Sequence, residues 1–270
     1  MTLTTLRLSE TGLTVSYRDS GTGEPLVLLH GVGMQSAAWG PQIAELSDDY
    51  RVIALDLPGH GGSDPLPEGS ELPDFVAWCH AAVQALGLGP VNIAGHSMGA
   101  LIAAGFAASY PQLTRRVALL NGVYRRDAAA RRAVEARADQ IRSGEIDVET
   151  PLARWFGDTP PEHAAKAQVA GWLGAVDAAG YAAAYTAFAT GDAVYADRLA
   201  QITCPLLAMT GDGDPNSTPE MSAAMARVAP QGRAVTIAGH RHMINLTAPA
   251  EVGAHLRTWL TQPATQKELQ

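Results

Sequence analysis

The sequence is poor in cysteine and in long apolar runs, and each shortage excludes a class of protein. Its 270 residues include two cysteines, Cys79 and Cys204. That is too few for the disulfide framework of a small secreted protein, and a reduced, cytoplasmic protein is expected. No apolar run reaches the roughly 18 residues of a membrane span. The first residues lack the basic and apolar segments of a signal peptide, so none is expected.

Positive charge is also scarce. Lysine and arginine together number 19 against 27 aspartates and glutamates, which gives a formal net charge of −8. The sequence shows no basic stripe, and this balance argues against nucleic acid as a partner. The two cysteines lack the spacing of metal ligands, and no metal is predicted. Hydrophobic residues make up 47% of the chain, enough for a large core.

Apolar segments alternate with helical ones along most of the chain. The first two, at 3–8 and 13–17, alternate in polarity as strands of a hairpin do. Continuous apolar segments are typical of strands that are buried on both faces of a parallel sheet. The segment at 25–30 is of this kind, and further predicted strands lie at 51–55, 91–94, 116–120, 205–210 and 234–237. The sequence therefore predicts an α/β fold with a mostly parallel, doubly wound sheet of eight strands.

The alternation stops between residues 124 and 200. This stretch is rich in alanine and arginine, is interrupted by glycine and proline, and contains no strand-like run. It predicts several short helices inserted between two strands of the sheet. We expect residues 1–123 and 201–270 to form the core, and residues 124–200 to form a helical cap over the carboxyl edge of the sheet.

The most informative motif is Gly95-His96-Ser97-Met98-Gly99. An apolar β-branched strand precedes it and an alanine-rich helix follows it, which is the context of a nucleophile elbow. The two glycines leave room for the sharp turn, and Ser97 stands at its apex. A serine in such a turn can also be a simple helix cap. The strand–turn–helix context favours a nucleophile.

A serine nucleophile needs a base, and the base needs a carboxylate that orients it. Both come from loops at the carboxyl ends of strands in open parallel sheets. Asp212 and Asp214 follow the predicted strand at 205–210, and His240 and His242 follow the next strand. From the residues alone, either aspartate and either histidine fit.

The reaction also needs two backbone amides that bind the developing oxyanion. One is predicted at Met98, the residue after the serine. The second is expected in the loop at 30–33, with Val32 as the choice and Gly33 as the alternative. His30 ends a buried strand and is predicted to brace this loop.

These motifs together resemble the α/β-hydrolase superfamily. The resemblance rests on residues 30–33, on Asp56-Leu57-Pro58-Gly59-His60-Gly61-Gly62-Ser63-Asp64, on the elbow, and on the acid and histidine loops. It covers nearly the whole chain. In this family the acid follows a G-x-x-D pattern, which selects Asp214. Some members place the acid after the strand before the cap, but Asn121 occupies that position here.

The family histidine is followed seven residues later by a proline, and Pro249 therefore selects His242. His240, which fits the usual Gly-His pattern, remains an alternative. The resemblance implies a triad of Ser97, Asp214 and His242 that transfers an acyl group to water without a cofactor.

Within the superfamily the chain looks most like the 3-oxoadipate enol-lactonase type of carboxylic-ester hydrolase. This likeness rests on cap residues 154–156 and 180–185 and on the segment 199–205. It implies a small ester or lactone as substrate. C–C bond hydrolases and perhydrolase-type members also retain the elbow serine. A small-molecule receptor and a cofactor-free dioxygenase on this fold stay open as well. Dehalogenases and epoxide hydrolases need a carboxylate at position 97.

The cap is predicted to set specificity for a small-molecule substrate. The candidate contacts are Trp155, Phe156, Tyr181, Tyr185, Arg125 and Arg126. For each aromatic residue, packing within the cap is the more ordinary role. For each arginine, the more ordinary role is that of a solvated charge at the start of a helix. The sequence leaves the oligomeric state open, a homo-oligomer included.

Overall fold

The computed structural model describes residues 2–264, which contain one sheet of eight strands. The strands are β1 Leu3–Arg7, β2 Thr14–Ser20, β3 Glu24–Leu29, β4 Tyr50–Leu55, β5 Val91–His96, β6 Thr114–Leu120, β7 Leu206–Gly211 and β8 Gly232–Ile237. Their order is β1-β2-β4-β3-β5-β6-β7-β8. The predicted eight-stranded, mostly parallel sheet is confirmed.

Two strands at one edge run antiparallel to their neighbours. The predicted hairpin forms, with Leu6 of β1 opposite Val15 of β2. β2 then pairs antiparallel with β4, where Tyr17 lies opposite Leu55. All other neighbours in the sheet are parallel. The sheet is therefore mixed at this edge and parallel where the candidate site lies.

Helices cover both faces of the sheet. The helices are α1 Gly40–Leu46, α2 Leu72–Ala85, α3 Met98–Ser109, α4 Ala128–Arg142, α5 Glu149–Trp155, α6 Pro160–Ala175, α7 Ala178–Gly191, α8 Pro219–Val228, α9 Ile244–Thr247 and α10 Pro249–Leu260. Short 3₁₀ turns occur at Ser36–Trp39, Pro111–Leu113 and Ala196–Gln201. The helix predicted at 37–46 is thus divided, because Pro41 in the first turn of α1 has no backbone N–H to donate to the preceding turn.

The side chains of β3 show why both faces must be covered. Leu26 and Leu28 pack with α1 and α10, whereas Val27 and Leu29 pack with α2, α3 and α8. All four are fully buried. Alternate side chains of a strand point to opposite faces, so a strand between two helical layers is apolar at every position.

The predicted helical insertion is present between β6 and β7, where α4 to α7 and a 3₁₀ turn lie. The insertion, here called the cap, shares an apolar cluster with the core. Its members are Met34, Ala38, Leu152, Phe156, Ala165, Val169, Leu173 and Met243. The cap also meets the core backbone at Gly59 and Gly180, since a Cβ on Gly59 would lie 2.5 Å from the Gly180 Cα. Only glycine fits at such an approach.

Both cysteines are buried and unpaired. Burial raises the pKa of Cys79 and of Cys204 to about 12, which keeps both thiols protonated and unreactive. Within residues 2–264, no helix combines the length and the apolar character needed to cross a membrane.

Candidate active site

The elbow has the backbone that its sequence predicts. β5 ends at His96, α3 begins at Met98, and Ser97 between them has φ +54° and ψ −114°. A side chain on Gly95 would overlap the backbone of Gly99, and one on Gly99 would overlap the carbonyl of Leu29. The two glycines therefore allow a strained serine to sit at the start of a helix, and Ser97 is only 4% exposed.

The structure brings Asp214 and His242 together. Gly211 of β7 pairs with Ile237 of β8, so the two following loops leave the same edge side by side. The His242 Nδ1 lies 2.7 Å from the Asp214 Oδ2, and both side chains are buried. The competing Asp212 is exposed and accepts a bond from the Gly239 amide.

The other histidine bonds elsewhere. The His240 Nδ1 lies 2.9 Å from the Thr247 Oγ1. The geometry thus separates the pairs that the residues alone left open. The catalytic roles of Ser97, Asp214 and His242 remain a prediction.

Asp214 is held as a carboxylate. Burial would raise its pKa, but His242 and several hydrogen-bond donors outweigh burial and lower the pKa well below its usual range. Asn121 Nδ2 and Ser217 Oγ donate to Oδ2 at 2.8 and 2.7 Å, and the Asn216 amide donates to Oδ1 at 2.8 Å. An ionised Asp214 fixes the proton of His242 on Nδ1, which leaves Nε2 as a base.

Two of these donors were missed by sequence reasoning. Asn121 stands after β6, where some family members carry the acid, and its φ of +48° turns its amide toward Asp214. Ser217 also lies 3.4 Å from the His242 Nδ1. The position of Asn121 was a usable signal, whereas Ser217 depends on the path of the loop.

His96 supports the backbone of His242. Its Nε2–H donates to the His242 carbonyl at 2.8 Å, and the two ring centroids lie 5.0 Å apart. Burial, with the nearby His242, lowers the pKa of His96 to about 3. The elbow residue before the serine therefore acts as a neutral hydrogen-bond donor.

The oxyanion loop distinguishes Val32 from Gly33. The Gly33 amide donates to the His60 Nε2 at 2.8 Å, so it is already occupied. In the part of the chain that the structure describes, neither the Val32 nor the Met98 amide has a hydrogen-bond acceptor. These are the two amides predicted to bind the oxyanion.

Two buried histidines hold this loop. The His30 Nδ1–H donates to the Gly31 carbonyl at 2.8 Å, and its Nε2 accepts from the Leu57 amide at 2.9 Å. This matches the bracing role predicted for His30. His60 donates through Nδ1 to the Pro58 carbonyl. Burial lowers the pKa of His60 to about 3, so the ring is a neutral acceptor for the Gly33 amide.

Acid should destabilise the protein sharply, because His60 and His96 are buried as neutral rings. Each has a folded pKa of about 3 against an ordinary value of 6.5. Below pH 6.5 the unfolded chain binds protons that the folded chain does not bind until about pH 3. The stability is therefore complete above pH 6.5 and is lost as the pH falls through this window. From pH 7.5 to pH 5 each ring costs about 2 kcal/mol, or about 4 kcal/mol together.

Urea unfolding at a series of pH values measures this loss. His60→Gln retains an acceptor for the Gly33 amide and should reduce the loss between pH 7.5 and 5 by about 2 kcal/mol. An unchanged pH dependence in this variant would contradict the assignment of His60 as a buried neutral ring.

The aromatic residues predicted as cap contacts lie in different surroundings. The Trp155 ring stacks on His242, with centroids 5.5 Å apart and planes 29° apart. Tyr181 is 2% exposed and packs at the oxyanion loop, where a Cβ on Gly33 would lie 3.1 Å from its ring. Tyr185 packs edge-to-face on Tyr181. Of the aromatic candidates, Trp155 is the one against the imidazole.

The two arginine candidates lie in different surroundings. The Arg125 side chain is 51% exposed and pairs with Asp197, so its charge is engaged at the surface. We therefore leave Arg125 out of the proposed site. Arg126 is buried against the Phe188 ring and lies 3.3 Å from Asp192, so it connects the segment before α4 to the C-terminal end of α7. The sequence offered both arginines as candidates alike, because the exposure and the ion-pair partners of their side chains depend on the fold.

The site combines an elbow serine, a carboxylate–imidazole pair and two backbone amides without a hydrogen-bond acceptor. These are the groups that acyl transfer requires. Among residues 2–264, no three histidine, cysteine, aspartate or glutamate side chains come together in a way that could hold a metal ion.

Comparison with known proteins identifies the family. Residues 24–249 match the family model for the alpha/beta hydrolase fold. The chain belongs to the α/β-hydrolase family, and it is a hydrolase.

Particular relatives differ in their named substrates. The chain is 52% identical over 256 residues to the (E)-2-((N-methylformamido)methylene)succinate hydrolase of Acinetobacter baylyi, covering 95% of this chain and 97% of that one. It is 28% identical over 246 residues to the 2-(acetamidomethylene)succinate hydrolase of Mesorhizobium japonicum, covering 88% of each. The enol-lactonase structure from Burkholderia xenovorans has a TM-score of 0.85 and 25% identity, over 93% of this chain and 98% of that one. The enol-lactonase likeness is thus present, at lower identity.

Proposed function

We propose that this protein hydrolyses the amide bond of an amidomethylene succinate. Such a compound is a small dicarboxylate whose nitrogen, attached to a C=C bond, carries an acyl group. The observation that carries the proposal is the 52% identity to a hydrolase of this substrate type, over nearly the full length of both chains. The second relative shares the succinate framework and differs in the acyl group. This proposal replaces the expected ester or lactone with an amide.

The site supplies each step of such a hydrolysis. The Ser97 Oγ attacks the acyl carbon while the His242 Nε2 takes the serine proton. The Val32 and Met98 amides bind the oxyanion. Collapse of the tetrahedral intermediate breaks the C–N bond, and His242 returns the proton to the departing nitrogen. Water, deprotonated by His242, then releases the acyl group as a carboxylic acid and restores Ser97.

The leaving nitrogen suits this site. In an amidomethylene succinate the nitrogen is conjugated through the C=C bond to a carboxylate, so electron density from the broken C–N bond spreads over the conjugated system. A positive charge beside that carboxylate would stabilise the leaving group as it forms. An enzyme that acts on this substrate therefore needs positively charged side chains close to the triad, although the net charge of this protein is negative.

Three arginines of the cap lie around Tyr185. Burial raises the pKa of Tyr185, and Arg137, Arg126 and Arg154 act against that rise with their charges. Arg126 pairs with Asp192 and Arg137 with Asp147. Within the described residues Arg154 has no carboxylate within ion-pair distance. We propose that Arg154, next to Trp155 in α5, binds a substrate carboxylate.

Steady-state kinetics test the proposal. We expect kcat/KM for (E)-2-((N-methylformamido)methylene)succinate to exceed that for its dimethyl ester at least about 100-fold, because the ester removes both charges. Arg154→Met should raise KM for the dianion about tenfold or more and change the ester little. Arg132→Met, on an exposed cap residue, is the matched control.

Two outcomes oppose the proposal. Faster turnover of a neutral lactone or a simple ester than of the dianion would favour an enol-lactonase activity instead. Equal KM values in Arg154→Met and in the control would remove Arg154 from the substrate site.

A further inference from the structure

Arg241 joins the histidine loop to the cap. Its guanidinium Nη1 donates to the carbonyls of Ala153 and Phe156, at 3.0 and 2.8 Å. Both carbonyls belong to the C-terminal end of α5, where the last carbonyls lack partners within the helix and carry partial negative charge. A cation there satisfies two of them at once.

The core holds the backbone of Arg241. Its carbonyl accepts from the Asn121 Nδ2 at 3.3 Å, and the Gly213 amide donates to the neighbouring His240 carbonyl at 2.9 Å. A Cβ on Gly211 would come within about 2.5 Å of the Arg241 carbonyl, so β7 lies directly against this loop. The backbone of Arg241 is thus held next to the loop that carries Asp214, and its side chain reaches across to α5 of the cap.

The residue whose position depends on this contact is Trp155. It is the last residue of α5, and it lies between the two carbonyls that Arg241 binds. Phe156 is buried in the apolar cluster with Met243, which fixes the chain just beyond. The Trp155 ring is then stacked on His242, the neighbour of Arg241. One loop therefore carries both the imidazole and the group that holds a ring over it.

We infer that Arg241 is a positioning residue, which clamps the end of α5 so that the Trp155 face stays on the His242 imidazole. The inference rests on the proposed role of His242 as the base. During the reaction His242 becomes an imidazolium, and an indole face stabilises a cation that lies over it. The same face shields the ring from water. Arg241 thereby couples the position of the cap to the proton transfer at Ser97.

Arginine is suited to this task. Both bonds come from Nη1, whose two N–H groups have fixed directions in the guanidinium plane, whereas lysine offers a point charge on a flexible stem. In the usual Gly-His pattern a glycine precedes the histidine, whereas Arg241 precedes His242 in this sequence. The contact with α5 gives a physical reason for an arginine at position 241.

A double-mutant cycle tests the clamp. Arg241→Met and Trp155→Ala should each lower kcat about tenfold, the size expected when one cation–π contact is lost from a transition state. The double variant should be no slower than Trp155→Ala alone, since both changes remove the same contact. Arg241→Lys should recover part of the loss. Arg142→Met, an exposed cap arginine paired with Asp139, is the control.

Fluorescence quenching keeps this test separate from the substrate assignment. At one fixed pH, the part of the emission that Trp155→Phe removes should be protected from acrylamide, because the Trp155 ring is stacked on His242. Arg241→Met should increase the quenching of that part, even if the protein turns over no amidomethylene succinate, and Arg142→Met should leave it unchanged. Additive losses of kcat in the double variant, or unchanged quenching of Trp155 in Arg241→Met, would overturn the clamp.

Discussion

Ser97→Ala is expected to lower kcat by about 10⁴-fold or more, with little change in KM. The hydroxyl forms the bond to the acyl carbon, so its loss removes the covalent route. The Val32 and Met98 amides and the cap remain, so substrate still binds. The elbow backbone should tolerate alanine, because the strain at position 97 lies in φ and ψ and is accommodated by the flanking glycines. Steady-state turnover, with thermal unfolding as a check on the fold, measures the effect.

Labelling makes the same point by a second route. A phosphonate or sulfonyl fluoride should modify the protein once, at Ser97, and mass spectrometry of the digested adduct locates the site. Ser70→Ala, in a surface loop where the hydroxyl bonds to Pro67, should keep full activity and full labelling. Retention of substantial turnover by Ser97→Ala would falsify the acyl-enzyme route and favour a reaction in which the His242–Asp214 pair acts directly on the substrate.

Asp214→Asn is expected to lower kcat by about 10⁴-fold while leaving the fold in place. The Asp214 Oδ2 now accepts bonds from His242, Asn121 and Ser217. An amide NH₂ facing the His242 Nδ1 would require an unprotonated Nδ1 and move the proton to Nε2. In that tautomer the imidazole cannot take the Ser97 proton.

Asp212→Asn is the matched control, because the sequence placed both aspartates in the same loop. Asp212 is exposed and bonds to the Gly239 amide, so the change should leave kcat within about twofold of the original. A larger loss in Asp212→Asn than in Asp214→Asn would reverse the assignment of the orienting acid. The kcat values of the two variants, measured at one pH with the same substrate, decide the question.

Local features of the fold were predictable to within a few residues. The strands β3 to β7 and the elbow turn were located from runs such as 25–30, because a strand covered on both faces is mostly apolar. β8 was located as well, but it lies at the edge of the sheet, where Ala234 and Thr236 are exposed. The division of the helix at 37–46 was missed, although Pro41 was visible. The antiparallel pairing of β2 with β4 was also beyond reach, since neighbours in a sheet are chosen by the whole chain.

The sequence by itself determined the elbow at Ser97, the acid and histidine loops and the helical insertion, because each is written in local spacing and polarity. The family pattern selected Asp214 and His242, but only the tertiary structure placed their side chains 2.7 Å apart, directed Asn121 toward Asp214, left Arg125 exposed and brought Arg241 to the end of α5. These contacts join residues far apart in the chain. They depend on which strands lie side by side and on where the cap meets the core, and no local pattern contains that information.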